Sequence, residues 1–379
     1  RMKRSPVTQK KIKMRPLEQL FPVLPDIKLD HLVRMTDSIG IFQHATFNVP
    51  NFSEGYCTDD NARALILAVL LENLGTVNLL TINDLASRYL GFLRYAWDPS
   101  IGRFRNFLTF QRNWKEEVPS EDCHGRALWA IGTCIGQSKN EGFVQMSVEL
   151  FEKALASSAS FTSPRAWAFI LLGIHEYLQR FHGDRLVRNC LQILATRLHD
   201  LYKVNTDAEW LWFESSLTYC DAQLPHALLV SGHDLDNEEM LKAGIDALKW
   251  LVKIQTSTRG HFQPVGSDGA YHRGGVKPVF DQQPIEAYAT VSACLEAYRV
   301  TKDKAWHDEA SKAFQWFLGG NDLGISLYDP VTGGCCDGLH IDRVNRNQGA
   351  ESTLSFLLSL TEMTHMGNIL ESLKEPLEE

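Results

Sequence analysis

The sequence predicts an all-α protein, an (α/α)6 toroid of six outer and six inner helices with short β-hairpins in the loops at one mouth. Two observations carry this. Segments with one charged face, at about 82–96, 143–157, 184–203, 238–255 and 303–318, alternate with segments apolar nearly all round, at about 121–136, 164–178, 221–231, 284–299 and 349–364. A helix apolar on every face must be surrounded by protein, whereas a charged stripe can sit outside. In addition, the inner segments are entered through polar joints of similar make, six in all. Consecutive outer-inner pairs with short links cannot bury their apolar faces alone, so they lean on their neighbours and close into a ring.

Composition sets the frame. The 379 residues are 44% hydrophobic and 22% charged, enough for one large core or two modest ones. No linker-like composition interrupts residues 26–366, which selects one barrel domain, preceded by a basic arm (1–25) and followed by an acidic tail (367–379). A net charge of -8, with no basic stripe, excludes a nucleic-acid footprint. The eight cysteines are scattered and form no C-x-x-C pair, which points to a reducing compartment and away from structural zinc. The basic start is not followed by a signal-peptide core, and no run nears the roughly 20 apolar residues of a membrane span. A cytoplasmic protein without a membrane span and without metal or cofactor is expected.

Taken in order, Asp26 opens a helix carrying Ile27, Leu29, Leu32, Val33 and Ile39, closed by Gly40. The first inner helix follows with Thr58 as N-cap, Asp59 and Asp60 in its first turn, and Gly75 at its end. Later joints run Ser120-Glu121-Asp122-Cys123-His124-Gly125-Arg126, Ser163-Pro164-Arg165 and Tyr219-Cys220-Asp221. The last two are Phe280-Asp281-Gln282-Gln283-Pro284 and Asn347-Gln348-Gly349-Ala350-Glu351. Strand-like stretches fall in the long connections at 104–107, 210–213, 260–264 and 325–328.

Parallel inner helices gather their N-termini, and so their acids, at one mouth. Burial and mutual repulsion there can make one carboxyl hold a proton while another stays ionised, the condition for acid/base work on a glycosidic bond. The catalytic candidates are therefore Asp59, Asp60, Glu121, Asp122, Asp281 and Glu351, with Asp60 and Asp122 the leading pair. Arg63, Arg126, Gln282, Asn347 and Gln348 are candidates for binding sugar hydroxyls; Trp114, Trp212 and Phe280 are candidates for stacking on sugar rings. Tyr56, His124 and Arg165 complete the set. Each also has an ordinary reading: N-capping for the acids, structural ion pairs for the arginines, and satisfied core or rim positions for His124 and His226. Convergence of all six joints on one place is what favours function.

Taken together, the strings TDDNARAL (58–65), SEDCHGRALWA (120–130), SPRAWAF (163–169), GHFQPVGS (260–267), FDQQPIEAYAT (280–290), TGGCCDGL (332–339) and NQGAEST (347–353) resemble the six-hairpin glycosidase superfamily. Within it they are similar to a bacterial group described as glycosyltransferases or glycosyltransferase-associated proteins. The resemblance spans about residues 30–365 and implies a carbohydrate enzyme working by acid/base chemistry on an oligosaccharide or glycoconjugate. A transferase using nucleotide sugars would show doubly wound βαβ units and a glycine-rich loop, and neither is present. Two other readings stay open: a sugar-binding partner of a separate glycosyltransferase, and a sugar epimerase, which would rely on paired histidines at the mouth. Prenyl chemistry fits less well, since Asp59-Asp60-Asn61-Ala62-Arg63 lacks the third acid of a magnesium-binding motif and no zinc-ligand spacing occurs.

Overall fold

The computed structural model describes residues 24–372; the expected arm to residue 23 and the last seven residues of the expected tail lie outside them. Twelve α-helices follow in order: α1 (Asp30–Met35), α2 (Thr58–Leu74), α3 (Leu79–Ala96), α4 (Glu121–Gln137), α5 (Glu141–Leu155), α6 (Pro164–Arg180), α7 (Arg185–Asn205), α8 (Gln223–Asp234), α9 (Glu238–Ile254), α10 (Pro284–Thr301), α11 (Lys304–Gln315) and α12 (Ala350–Ser372). The even-numbered helices form the inner ring. Each packs on the next, from α2 through α4, α6, α8 and α10 to α12, and α12 packs back on α2 to close it. Outside them, α3, α5, α7, α9 and α11 lie against α2, α4, α6, α8 and α10.

The hydrophobic pattern explains the two layers. Every residue from Cys123 to Ile135 of α4 is buried, and every one from Pro284 to Leu295 of α10. In α7 burial is confined to a stripe, Val187, Leu191, Leu194, Ala195, Leu198, His199 and Tyr202, at helical spacing. A fully buried leucine such as Leu128 contributes roughly 2 kcal/mol by leaving water. Glycines let one inner pair meet backbone to backbone: a Cβ built on Gly132 would lie 2.1 Å from the Gly173 carbonyl oxygen, and one on Gly173 would lie 2.6 Å from that of Leu128. Side chains cap the N-termini of α3, α5, α7, α9 and α11 (Asn78, Asn140, Asp184, Asn237, Asp303), as they do for α4 and α6 (Ser120, Ser163).

The toroid forms as expected, with local corrections. The helix expected from Asp26 to Ile39 is only α1, because Asp37 Oδ1 accepts from the amides of Ile39 (2.7 Å) and Gly40 (3.3 Å), turning the chain so that Ile41 bridges back to Thr36. The ring therefore has five long outer helices and one short one. Cys57, not Thr58, is the N-cap of α2; the Thr58 hydroxyl donates instead to the Arg105 carbonyl at 2.5 Å. Helix α12 continues to Ser372, so 367–372 are helix rather than tail. Strand pairing is limited to two-residue antiparallel ladders such as Tyr56–Cys57 with Phe107–Leu108 and Gly338–Leu339 with Val344–Asn345. The stretch at 210–213 forms no strand, while Phe262 and Tyr328 make isolated bridges to Thr256 and Cys335. All eight cysteines are unbridged. Among the described residues no helix is long and apolar enough to cross a membrane.

Candidate functional site

A cavity of about 330 Å³ opens at the N-terminal ends of the inner helices. Helix α2 lends it Asp59, Asp60 and Arg63; α12 lends Glu351 and Ser352; the loops add His44, Tyr219, Gln283, Asp337 and His340, with Cys57 and Phe107 along one wall. First and last inner helices thus meet across it, as ring closure requires.

Arg63 ties the site together. Its Nη1 donates to Asp60 Oδ1 at 2.7 Å, and its Nη2 donates to Glu351 Oε2 at 2.6 Å and to the Tyr219 hydroxyl at 2.8 Å. The Tyr219 hydroxyl donates in turn to Glu351 Oε2 at 2.9 Å. Burial opposes the Arg63 charge, but the surrounding Tyr219, Glu351 and Asp60 hold it fully protonated, raised above the usual arginine value. Asp60 is 3% exposed. Burial pushes its carboxyl up to about 7, against the pull of Arg63 and with help from the negative charges of Glu351 and Asp59. Asp59 Oδ2 accepts from the Asn106 amide at 3.0 Å, and its Oδ1 lies 3.4 Å from Arg126 Nε. Asp337 is also raised by burial, although it accepts from the Ser352 hydroxyl (2.5 Å) and the Gly349 amide (2.7 Å). His340, which lines the cavity, has its Nδ1 bonded to Asp281 Oδ1 at 2.5 Å, which orients the ring.

The structure sorts the expected residues. Asp59, Asp60, Arg63 and Glu351 come together on the cavity, and Asp281 reaches it through His340. Glu121 and Asp122 are not among its lining residues: Glu121 Oε2 accepts from the amides of Thr162 and Ser163 at 2.7 Å each, and Asp122 Oδ1 from the Ser163 hydroxyl at 2.5 Å. One oxygen of each secures the start of α6. Arg126 is buried one layer below, its guanidinium 4.1 Å from the Phe169 ring centre. Arg165 pairs with Glu214 (2.7 Å) and Asp221 (3.1 Å) in a buried ion-pair group.

The structure places several of the expected substrate-binding residues away from the cavity or in packing and bracing positions. Trp212 is fully buried against Phe213 and Trp250 and offers no platform. Trp114 packs on Phe92 and Tyr95. Tyr56 is buried, donating to Asp37 at 2.7 Å, and His124 is buried, bonded to the Ala154 carbonyl at 3.0 Å and pulled down to about 4 by burial. Gln282 and Gln348 are internal braces, Gln282 to Trp316 and Asp322, Gln348 to Thr332 and Asp329; Asn347 Oδ1 accepts from the Phe47 amide. Phe280 is half-buried and outside the lining residues. Sequence reasoning missed His44, Asp337 and His340. The last two sit in or directly after the string TGGCCDGL, a signal read for resemblance and not for chemistry. Among the described residues no three His, Cys, Asp or Glu side chains are grouped as metal ligands would be.

No family model and no curated protein matches this chain. Solved structures do. The cellobiose 2-epimerase of Bacillus thermoamylovorans aligns with a TM-score of 0.68 at 10% identity, over 88% of this chain and 95% of that one. A GH76 alpha-mannanase of Bacteroides thetaiotaomicron aligns at 0.59 and 12%, over 83% and 88%. A cellulase of C. cellulolyticum solved with cellobiose aligns at 0.58 and 10%, over 86% and 88%. The chain has the six-hairpin (α/α)6 fold. At these identities the likeness fixes the six-hairpin fold and not the reaction. A glycosyltransferase finds no counterpart among these three neighbours.

Proposed function

We propose that the mouth cavity is a carbohydrate site where Asp60 and Glu351 act as an acid/base pair in cleavage or transfer at a glycosidic bond. The carrying observation is a carboxyl buried in the wall of a polar cavity, pushed up to about 7, and sharing one guanidinium with a second, more exposed carboxyl. A proton held on Asp60 near neutrality is what a leaving glycosidic oxygen requires. In hydrolysis that proton goes to the oxygen as its bond to the anomeric carbon breaks; water adds to the carbon and loses its proton to Glu351. Arg63 and Tyr219 aim Glu351, and Asp59 adds a third acid to the same wall. This replaces the pairing of Asp60 with Asp122. That the fold neighbours include a mannanase, a cellulase and an epimerase supports a sugar substrate.

A second reading, epimerisation, is favoured by His44 and His340 on the same cavity, the latter oriented by Asp281. An imidazole so held can remove a proton from carbon. Oligosaccharides incubated in 18O-labelled water and, separately, in deuterium oxide distinguish the two. One heavy oxygen per new reducing end without carbon-bound deuterium is the expected result. Carbon-bound deuterium in an uncleaved sugar selects epimerisation, and saturable sugar binding without either label selects a binding module.

A further inference from the structure

A second cavity, of about 430 Å³, lies at the opposite end of the inner ring. Its walls come largely from the C-terminal halves of inner helices, and exposed Asn73, Gln179 and His365 stand among its lining residues as a way in from solvent. Because the inner helices run parallel, the negative ends of their dipoles point here, and a cation is favoured at such an end.

The side chains reinforce that bias. Glu176 of α6, Glu296 of α10 and Glu362 of α12 face one arginine, Arg299. Arg299 is bonded to Glu296 at 2.9 Å, whereas Glu176 and Glu362 accept from neutral groups, the Gln137 amide at 2.8 Å and the Ser292 hydroxyl at 3.3 Å. His175 is already matched by Asp234 at 2.7 Å. A second observation, independent of the acids, points to an occupant. His226, 6% exposed, and Tyr288, 1% exposed, line the cavity from its inner end, and His226 Nδ1 and the Tyr288 hydroxyl have no hydrogen-bond partner. A buried polar atom left unpaired is costly, and a ligand bearing its own polar groups can recover that cost.

We propose that this cavity binds a small open-chain diamine or polyamine, its ammonium groups taken by Glu176 and Glu362 and its methylenes running along Trp129. The acids belong to three helices, and no three metal-ligating groups converge on a point, so charges spaced along a chain fit where one compact divalent ion does not. The volume is within the range of small-molecule pockets. Burial pushes Glu362 up to about 7 and also raises Glu176, against the pull of the nearby cations Arg299 and His175, and an ammonium beside these acids would favour their ionised forms.

The test is calorimetric titration of the full chain with spermidine, with putrescine and with cellobiose at low salt. One saturable spermidine site with a dissociation constant of about 1 mM or tighter is expected, weakened at least about tenfold by Glu362→Gln and by Glu176→Gln. The exposed-site control Glu149→Gln and the mouth variant Glu351→Gln should bind as the parent does. Far-UV dichroism checks folding, and the two cavity variants serve as each other's replacement. No saturable spermidine binding, equal binding by all variants, or loss through Glu351→Gln alone overturns the assignment, as does cellobiose occupying this cavity in place of amines.

Discussion

At the leading end of the inner helices, Asp60 and Glu351 share the Arg63 guanidinium at 2.7 and 2.6 Å; at the trailing end three glutamates surround Arg299, which is bonded to Glu296 at 2.9 Å. Both ends hold a carboxyl pushed up to about 7 by burial, Asp60 above and Glu362 below. What differs is the wiring. Asp60 shares a guanidinium at hydrogen-bond distance with a second carboxyl, Glu351, whereas Glu362 is bonded to a serine hydroxyl; histidines line both cavities. A shifted pKa is therefore not enough to mark a reaction centre; the neighbours that could accept or deliver a proton decide it.

The comparison breaks most sharply at Asp60. Asp60→Asn should lower turnover on the cognate sugar by roughly 10²–10⁴-fold with the helical dichroism intact, while Glu362→Gln leaves turnover within about twofold. Equal losses from both would erase the distinction between the ends. Next comes Arg63→Leu, which strands Asp60 in the interior; urea denaturation should show about 3–5 kcal/mol of lost stability, and Asp60→Asn in the same chain should restore part of it. Tyr219→Phe removes one donor to Glu351 and should slow turnover about tenfold without changing the fold.

The pH dependence sharpens both ends together. Asp60, Glu362 and Glu286 are raised by burial, and His175 rises to about 9 because Asp234 overrides its burial. Each binds its proton more tightly when folded, so its contribution is full below the ordinary pKa and is lost as pH climbs through the raised one. Melting temperature should therefore fall by a few °C from about pH 6.5 to pH 8, and less in Asp60→Asn. The smallest effect is expected of Asp122→Asn: about 1 kcal/mol of stability from a weakened start to α6, and unchanged turnover.

The toroid was legible because layer is written into every turn of helix: α4 is apolar all round and α7 carries one stripe, which no local exception disguises. The site was half legible. Asp60 and Asp122 have the same local setting, an acid in the first turn of an inner helix with an arginine three or four residues on (Arg63, Arg126); Asp60 takes that local partner while Asp122 meets Ser163, 41 positions away, a choice only tertiary packing makes. His44 and His340 arrive on loops whose destination depends on how the whole ring closes. Trp212 looked like a loop aromatic at the rim, but the Trp210–Phe213 segment folds inward onto Trp250.

Arg63 and Glu351 stand 288 positions apart in the chain and a single hydrogen bond apart in space. During synthesis from the N-terminus, α2 emerges with a guanidinium whose second acid does not yet exist, and it must wait until the final hairpin has been made and has docked. The same contact that seats α12 against α2 brings Glu351 to Arg63, so closure of the ring and assembly of the mouth arrive together.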